Sequence, residues 1–219
     1  MPSTELLQGL PYPVGTDAPD GPAQILAAMQ ATAKKVVQVY ASAAARTSAF
    51  TAAGVTPTEG MTSFLQDVNR LETYTGTYWG PVAGFEWAYV EVTDNADVAT
   101  AGSAVATVAG LATPSFTLPG QRAVMVRTHC LLQSTVNGDV GLITITDAAN
   151  TAVARSGDIP MASSTRNYGA DFGQRLILAA GSYQFKTRRQ RISGTGSLSA
   201  PSNTADLRNW IQVVDLGPA

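Results

Sequence analysis

The feature that most constrains this chain is a long succession of short β runs separated by turn residues, from Phe85 onward. After an alternating stretch that begins at Phe85, the runs occupy 104–108, 115–118, 123–132, 140–146, 175–179, 183–192 and 209–214. Turn signals separate them, and Asn137-Gly138 predicts a hairpin between the runs on its two sides. Short strands at this density, with no helical period among them, predict an antiparallel β-sandwich of jelly-roll type over residues 82–219.

The first 22 residues predict an extended arm. Five of the twelve prolines lie there, and proline fixes φ while it biases the preceding residue toward extended conformations. Leu6, Leu7 and Leu10 make this arm apolar, so we expect it to lie against its own fold or against a partner. Asp20-Gly21-Pro22 is typical of a helix start, because proline is favoured at the first helical position.

The Ala-rich stretch 23–48 predicts one helix with a regular apolar stripe. The stripe residues are spaced alternately by three and four: Leu26, Met29, Ala33, Val36, Tyr40 and Ala43. This spacing is typical of an amphipathic helix on its own domain, or of a short parallel bundle at the axis of a homo-oligomer. We expect the bundle, because an extended arm precedes the helix and little nearby can supply a private core. The six residues are therefore the predicted oligomer interface.

Residues 49–81 predict a small β-hairpin module. Two short strands flank the turn at Asp67–Arg70, and Gly76 opens a second turn before Trp79. An isolated hairpin is only marginally stable. The module must therefore pack on the helix, on the next domain or on another copy of the chain. The whole chain is thus expected to be mainly β, with an arm, one helix, a hairpin neck and a sandwich head.

Composition removes several classes of chemistry. One Cys and one His exclude a disulfide framework within the chain and any zinc site built mainly from these residue types. A net charge of −2 argues against binding to a nucleic-acid backbone, which is itself negatively charged. We also expect no secretory signal, and no membrane insertion, because no run approaches the roughly 20 apolar residues that span a bilayer.

The remaining catalytic candidates are weak. His129 and Cys130 are neighbours in a predicted strand, so their side chains point to opposite faces, and Cys130 shares its face with Val124 and Val126. No Gly-x-Ser-x-Gly nucleophile motif is present. Asp94 and Asp97 lack the glycine and distal glutamate of a calcium loop and predict a plain polar turn. We expect no enzymatic activity, no cofactor and no bound metal.

Aromatic residues offer two candidate ligand surfaces. Phe85, Trp87 and Tyr89 alternate along one strand and predict a core face, with stacking on sugar rings as the alternative. Tyr168 and Phe172 lie in the Gly/Ser-rich stretch 162–173, which predicts a loop. Loops on a rigid scaffold often carry recognition, so these two are the predicted ligand-facing aromatics.

The basic run near the C-terminal end divides between two faces of a predicted strand. Lys186 and Arg188 project to one side, and Arg189 and Arg191 to the other. Their charge is therefore split rather than gathered in one groove. We expect a solvated or ion-paired strand, with pairing between subunits, to acids such as Asp171 or Asp206, as the alternative.

The order of these parts resembles virion proteins of tailed bacteriophages. Gly9-Leu-Pro-Tyr-Pro-Val-Gly-Thr-Asp17, followed by the Ala-rich helix, resembles the N-terminal region of small virion proteins. Phe64-Leu-Gln-Asp67 with Tyr74 and Trp79 resembles a short hairpin module of minor tail and fibre proteins. The endings Tyr183-Gln-Phe-Lys186 and Ile211-Gln-Val-Val-Asp-Leu-Gly-Pro218 are similar to the last strands of β-sandwich head domains in such proteins.

The resemblance implies a structural or receptor-facing virion component that forms a homotrimer. Tail tip, baseplate side fibre and head fibre remain open as its position, and no catalytic residue is implied. The expected protein assembles in the host cytoplasm, binds other virion proteins through its N-terminal arm and projects the sandwich outward. The alternative is a carbohydrate- or host-receptor-binding module that contacts a host-surface glycan through Tyr168 and Phe172.

Overall fold

The computed structural model describes residues 3–4, 11–12, 21–33, 36–93, 100–101, 103–202 and 208–219. The chain divides into two compact units, an N-terminal unit (Met1–Val82) and a sandwich unit (Ala83–Ala219). Most of the predicted arm lies outside the described residues, as do Asp94, Asp97 and Asp206. The two described pieces of the arm, Ser3–Thr4 and Pro11–Tyr12, pair with each other as antiparallel strands.

The N-terminal unit combines two helices with short strands. Its elements are β1 (Ser3–Thr4), β2 (Pro11–Tyr12), α1 (Gly21–Ala33), β3 (Gln38–Tyr40), α2 (Ala43–Ala53), β4 (Thr62–Leu65), β5 (Arg70–Tyr74) and β6 (Trp79–Pro81). β3 and β4 are parallel, while β4, β5 and β6 form an antiparallel meander. The two strands around Asp67–Arg70 are thus as predicted, but they belong to a four-stranded sheet connected through α2 and not to a free hairpin.

The prediction of one helix over 23–48 is wrong, because α1 ends at Ala33 and β3 follows. Val36, Val37 and Val39 are β-branched residues that favour extended backbone over helix. Ser42 then caps a new helix, since its side-chain oxygen accepts a hydrogen bond from the Ala45 amide at 3.1 Å. Valine content and a capping serine were the sequence signals of this break.

The sandwich unit consists of thirteen described strands. They are β7 (Glu86–Val92), β8 (Thr100–Ala101), β9 (Ala106–Ala112), β10 (Phe116–Leu118), β11 (Arg122–Ser134), β12 (Asp139–Asp147), β13 (Ala152–Arg155), β14 (Ile159–Met161), β15 (Tyr168–Leu178), β16 (Gly181–Tyr183), β17 (Phe185–Ser193), β18 (Ser197–Ser199) and β19 (Asn209–Pro218). All pairings among them are antiparallel. The predicted mainly β fold with a jelly-roll-like sandwich is confirmed.

Two sheets form the layers of the sandwich. The β11 sheet has the order β7-β19-β11, with β15 on the other side of β11 and with β18 and β8 continuing past the end of that strand. The β12 sheet has the order β13-β12-β17-β9, and β14 also pairs with β12. The short strands β10 and β16 pair with each other. Asn137-Gly138 therefore connects the two sheets and does not close a hairpin, which corrects that prediction.

The core lies between these sheets and receives alternate residues of each long strand. Its largest fully buried apolar side chains include Val108, Leu111, Leu132, Ile143, Ile145, Phe185 and Ile211. Cys130 is fully buried among them, as predicted. A hydrogen bond of 2.8 Å between the Thr128 and Thr187 hydroxyls joins β11 to β17 across the core, so these two buried polar groups satisfy each other.

Candidate functional site

The outer face of the β11 sheet combines aromatic, charged and polar side chains, and it is the candidate functional surface of the sandwich unit. Because side chains alternate along a strand, odd-numbered residues of β11 and β15 and even-numbered residues of β19 point away from the core. On β7 the outward residues include Tyr89 and Glu91. We call this surface the outer face.

The strand register arranges outer-face residues in rows that cross four strands. One row runs through Glu91, Trp210, His129 and Asp171, each directly opposite the next. The neighbouring row runs through Tyr89, Gln212, Arg127 and Gly173. Aromatic rings thus lie at the centre of the face, and planar polar groups lie on both sides of them.

Ring contacts and ion pairs hold the first row in place. The His129 and Trp210 rings stack with centroids 6.1 Å apart and planes inclined by 21°, and the Arg127 guanidinium carbon lies 5.9 Å from the Trp210 ring. Arg127 pairs with Asp171 at 3.1 Å, and Arg208 pairs with Glu91 at 2.9 Å. Each carboxylate of the first row is therefore paired with an arginine that lies outside the row.

The β7 side of the outer face carries a second set of hydrogen bonds. The Tyr89 hydroxyl donates to Glu91 at 2.7 Å, and the Gln212 amide donates to Glu86 at 2.5 Å. Partial burial of the hydroxyl, its bond to Glu91 and the nearby charges of Glu91 and Glu86 raise the pKa of Tyr89 to about 12. Tyr89 therefore presents an un-ionised hydroxyl at neutral pH.

At two of its outward positions β15 has glycine, so the strand itself contributes no side chain to the outer face there. A Cβ on Gly173 would lie 2.5 Å from Cγ of Arg127, and a Cβ on Gly169 would lie 2.9 Å from Cδ2 of Leu131. Side chains of β11 therefore lie over the backbone of β15, in the space that a side chain at position 169 or 173 would need. Asp171, between the two glycines, has a side chain that is 45 % exposed.

The predicted ligand-facing aromatics lie elsewhere. Tyr168 and Phe172 are on strand β15 and not in a loop, and both are half-buried and pack against the core. They alternate with Gly169, Asp171 and Gly173, which point outward. The Gly/Ser content suggested a loop, but the glycines occupy the outer face of a strand, where the close approach of β11 requires them.

The aromatic stripe on β7 is interrupted by a β-bulge. Ala88 lies opposite Val213 and Glu86 lies opposite Val214, so Trp87 is the extra residue. Trp87 turns inward and stacks on Phe116 with centroids 6.0 Å apart, whereas Tyr89 is 42 % exposed on the outer face. The three aromatics therefore do not share one face, and this part of the prediction is wrong.

A buried ion pair fixes the end of the β11 sheet beside this bulge. The Asp215 carboxylate accepts hydrogen bonds from Nε and Nη2 of Arg122 at 2.9 and 2.5 Å, from Nε1 of Trp87 at 2.8 Å and from the Gly217 amide at 2.6 Å. Arg122 and Asp215 are 1 % and 0 % exposed. Because its four partners saturate the carboxylate, this pair is structural.

The basic run is split between two faces, as predicted. Arg189 points inward with Thr187 and is buried, while Lys186 and Arg188 point away from the core. Lys186 donates to the Ala148 carbonyl and Arg188 to the Val105 carbonyl. Asp171 pairs with Arg127 of the same chain, and the alternative pairing of the basic run between subunits stays a prediction.

The sheet of the N-terminal unit has one polar, covered face. Helix α2 packs Arg46 and Phe50 onto it. Arg46 donates to Ser63 and to Glu72, both at 2.7 Å, and its guanidinium lies 4.1 Å from the Trp79 ring. A cleft of about 380 Å³ beside Trp79 is lined by residues of α2 and of the loop after it. Its threonines Thr47 and Thr51 already bond to helix carbonyls.

The opposite face of this sheet is apolar and open. Val39, Phe64 and Leu71 lie directly opposite one another across β3, β4 and β5, and the Val82 amide bonds to the Leu71 carbonyl. Val39, Leu71 and Val82 are 59 %, 39 % and 42 % exposed. We call Val39, Phe64, Leu71 and Val82 the apolar row.

The predicted interface stripe does not exist as one helix face. Met29 is on α1, Val36 precedes β3, Tyr40 is on β3 and Ala43 begins α2. Tyr40 contacts Phe50 within the unit, whereas Met29 and Val36 are 65 % and 49 % exposed. Leu26 and Ala33 belong to α1, and their side chains lie outside the described ones.

Two other kinds of site are absent from the described residues. Within these ranges no group of three or more His, Cys, Asp or Glu side chains is placed to hold a metal ion. No helix in the described part of the chain is both long and apolar enough to cross a membrane.

Comparison with known proteins gives only distant likenesses. No family model and no curated protein matches the chain. A carbohydrate binding module from Cellvibrio mixtus lichenase 5A, solved with cellotriose, matches at 15 % identity and TM-score 0.31, over 59 % of this chain and 98 % of that module. A structure of the infectious bursal disease virus Gx strain matches at 12 % identity and TM-score 0.34, over 68 % of this chain and 43 % of that one. Such distant likenesses transfer no ligand and no site.

Proposed function

We propose that this protein is a structural component of a bacteriophage virion, a homotrimeric minor tail or fibre protein that is anchored through its N-terminal unit and displays the sandwich unit. The resemblance of the sequence segments to tailed-phage virion proteins gives the class. The apolar row is the observation that carries the assembly role, because it marks a surface that another chain can cover.

The described residues of the N-terminal unit include other exposed apolar side chains besides the apolar row. Ile25 and Met29 on α1 are 61 % and 65 % exposed, and Val37 before β3 is 53 % exposed. Contiguous exposed apolar surface on a soluble protein typically marks an interaction site. Further copies of this chain are the proposed occupant, since the apolar rows of three copies can meet around a three-fold axis, where the same residues of each copy face one another.

The low charge of the chain supports the same assignment. Charged residues make up 14 % of the sequence, against roughly 25 % in typical globular domains, and interface cores are depleted in charge. The proposal includes no catalytic step. Cys130 is buried and faces away from His129, which contributes its ring to a stack with Trp210.

Light scattering on the purified chain tests the assembly role. We expect a trimer mass at micromolar concentration for the native sequence and a monomer mass for Val39→Lys, because a charge in the apolar row cannot be buried between copies without a large desolvation cost. Ile177→Lys is the matched control: Ile177 is 54 % exposed on an edge strand of the sandwich unit, so that variant should remain trimeric. A monomer mass for the native chain would refute the trimer.

The position in the particle requires a separate measurement. Antibody labelling of purified particles in electron micrographs should locate this chain at the tail or at a fibre. Absence of the chain from purified particles, measured by mass spectrometry, would refute the virion assignment while the oligomer could still stand.

A further inference from the structure

Beyond the assembly role, we infer that the outer face of the β11 sheet binds a neutral oligosaccharide, with Trp210 as its stacking surface. The proposal rests on the two rows of residues described above and does not depend on the oligomeric state. It also replaces Tyr168 and Phe172, which pack against the core, as the ligand-facing aromatics.

The residue types of the outer face match the chemistry of a sugar. A pyranose ring has apolar C–H faces and a rim of hydroxyls, each of which both donates and accepts hydrogen bonds. Trp210 and His129, half-buried and stacked on each other, supply the aromatic surface at the centre of the face. Gln212, Asp171 and Glu91 supply amide and carboxylate groups beside it, as the register shows.

The charge arrangement favours a neutral ligand. Arg127 is paired with Asp171 and Arg208 with Glu91, so both carboxylates of the first row already have a cationic partner. A charged ligand would have to break one of these pairs. The hydroxyls of a neutral sugar carry no charge that competes for either partner, so they can hydrogen-bond to the paired groups without breaking a pair.

The extent of the outer face fits several sugar units. Four strands, β7, β19, β11 and β15, contribute to each row, and neighbouring strands lie about 4.8 Å apart. A row therefore spans roughly 14 Å between its outer strands. Gly169 and Gly173 contribute no side chains of their own on either side of Asp171, and the Leu131 and Arg127 side chains of β11 lie over them, so the β15 end of the face stays low enough for a chain of sugars to pass over it.

A glycan array gives the first test. The native protein is applied to an array that carries neutral hexose and N-acetylhexosamine oligosaccharides together with sialylated and sulfated ones. We expect binding to a subset of the neutral oligosaccharides. Binding confined to the sialylated or sulfated ones, or no binding to any spot, overturns the proposal.

Variants then place the site. For the best array oligosaccharide, Trp210→Ala should weaken binding by about tenfold or more, because truncating the aromatic anchor of a site removes a large share of its affinity. Asp171→Ala changes a side chain that is 45 % exposed, so it tests the site without disturbing the core, and it should weaken binding as well. Ile177→Ala, on the same strand but outside the two rows, is the control and should bind like the native chain.

The outcomes separate this proposal from the assembly role. Unchanged affinity in both Trp210→Ala and Asp171→Ala overturns the site. The light-scattering mass of the same samples reports assembly independently, so a monomer that binds the oligosaccharide refutes the trimer alone, and a trimer that binds nothing refutes the binding site alone.

Discussion

Removal of the Asp215 carboxylate should destabilise the sandwich unit far more than removal of any exposed charge. In Asp215→Ala the Arg122 guanidinium, 1 % exposed, loses its two-point ion pair with the Asp215 carboxylate, and the Trp87 indole N–H loses its acceptor. Breaking a buried ion pair by deleting one partner costs about 3–5 kcal/mol, because a buried charge is left without compensation.

This cost converts to a shift that denaturant unfolding can measure. With a urea dependence of about 2 kcal/mol per M, the midpoint of unfolding should fall by roughly 1.5–2.5 M. Circular dichroism follows the loss of strand structure, and tryptophan fluorescence gives a second probe of the same transition. Agreement of the two probes supports a two-state treatment of the unit.

Arg127→Ala is the matched control, because it removes the other arginine–aspartate pair of the same strand. The Arg127 and Asp171 side chains are 49 % and 45 % exposed, and exposed pairs contribute less than about 1 kcal/mol. Equal midpoint shifts for Asp215→Ala and Arg127→Ala would refute the reasoning. In the double variant Arg122→Met, Asp215→Leu, much of the loss should be recovered, since no charge then remains buried.

Three further predictions concern individual groups. Burial raises the pKa of Asp139, but hydrogen bonds from Ser134, Gly196 and Thr195 outweigh it and hold that pKa below its ordinary 3.8. The native chain should therefore be more stable than Asp139→Asn at neutral pH, and the difference should shrink as pH falls below about 4. Urea unfolding at several pH values measures this difference. Tyr89 has a pKa of about 12, so ultraviolet absorbance should show its hydroxyl ionising at higher pH than an ordinary tyrosine. Glu91→Gln removes a nearby negative charge and should lower the pH of that ionisation. Gly194→Ala should lower the thermal midpoint strongly, because its Cβ would lie 1.8 Å from Oδ1 of Asp139 at a φ of +99°.

The fold of the sandwich unit could be predicted because alternation and turn chemistry are local properties. The strand from 123 to 132, the inward orientation of Cys130 and the split of the basic run all follow from period two alone. Which strands pair is a different matter. Asn137-Gly138 has the chemistry of a hairpin turn, but β11 finds its partners in β15 and β19 and β12 finds its partners in the other sheet. Turn residues specify a reversal of the chain and not the sheet that it enters.

The candidate surfaces were harder to predict, because each depends on register. The bulge at Trp87 changes which of Phe85, Trp87 and Tyr89 faces the core, and no local signal marks it. Trp210 and His129 are 81 positions apart in the sequence and become neighbours only through the β11–β19 pairing. The apolar row could have been suspected from Val37 and Val39, whose β-branched side chains also argued against the continuous helix.

Strand β11 has consequences for how this protein can change over generations. Its even-numbered residues, from Val124 to Leu132, are buried, whereas its odd-numbered residues, from Met125 to Gln133, are half-buried or exposed. Selection for stability and selection for a new ligand therefore act on interleaved but separate sets of positions. Substitutions at Arg127 or His129 can change the chemistry of the outer face while the packed half of the strand stays constant. Within the thirteen residues of β11, the buried positions are thus constrained by packing, and the outward positions can change without disturbing it.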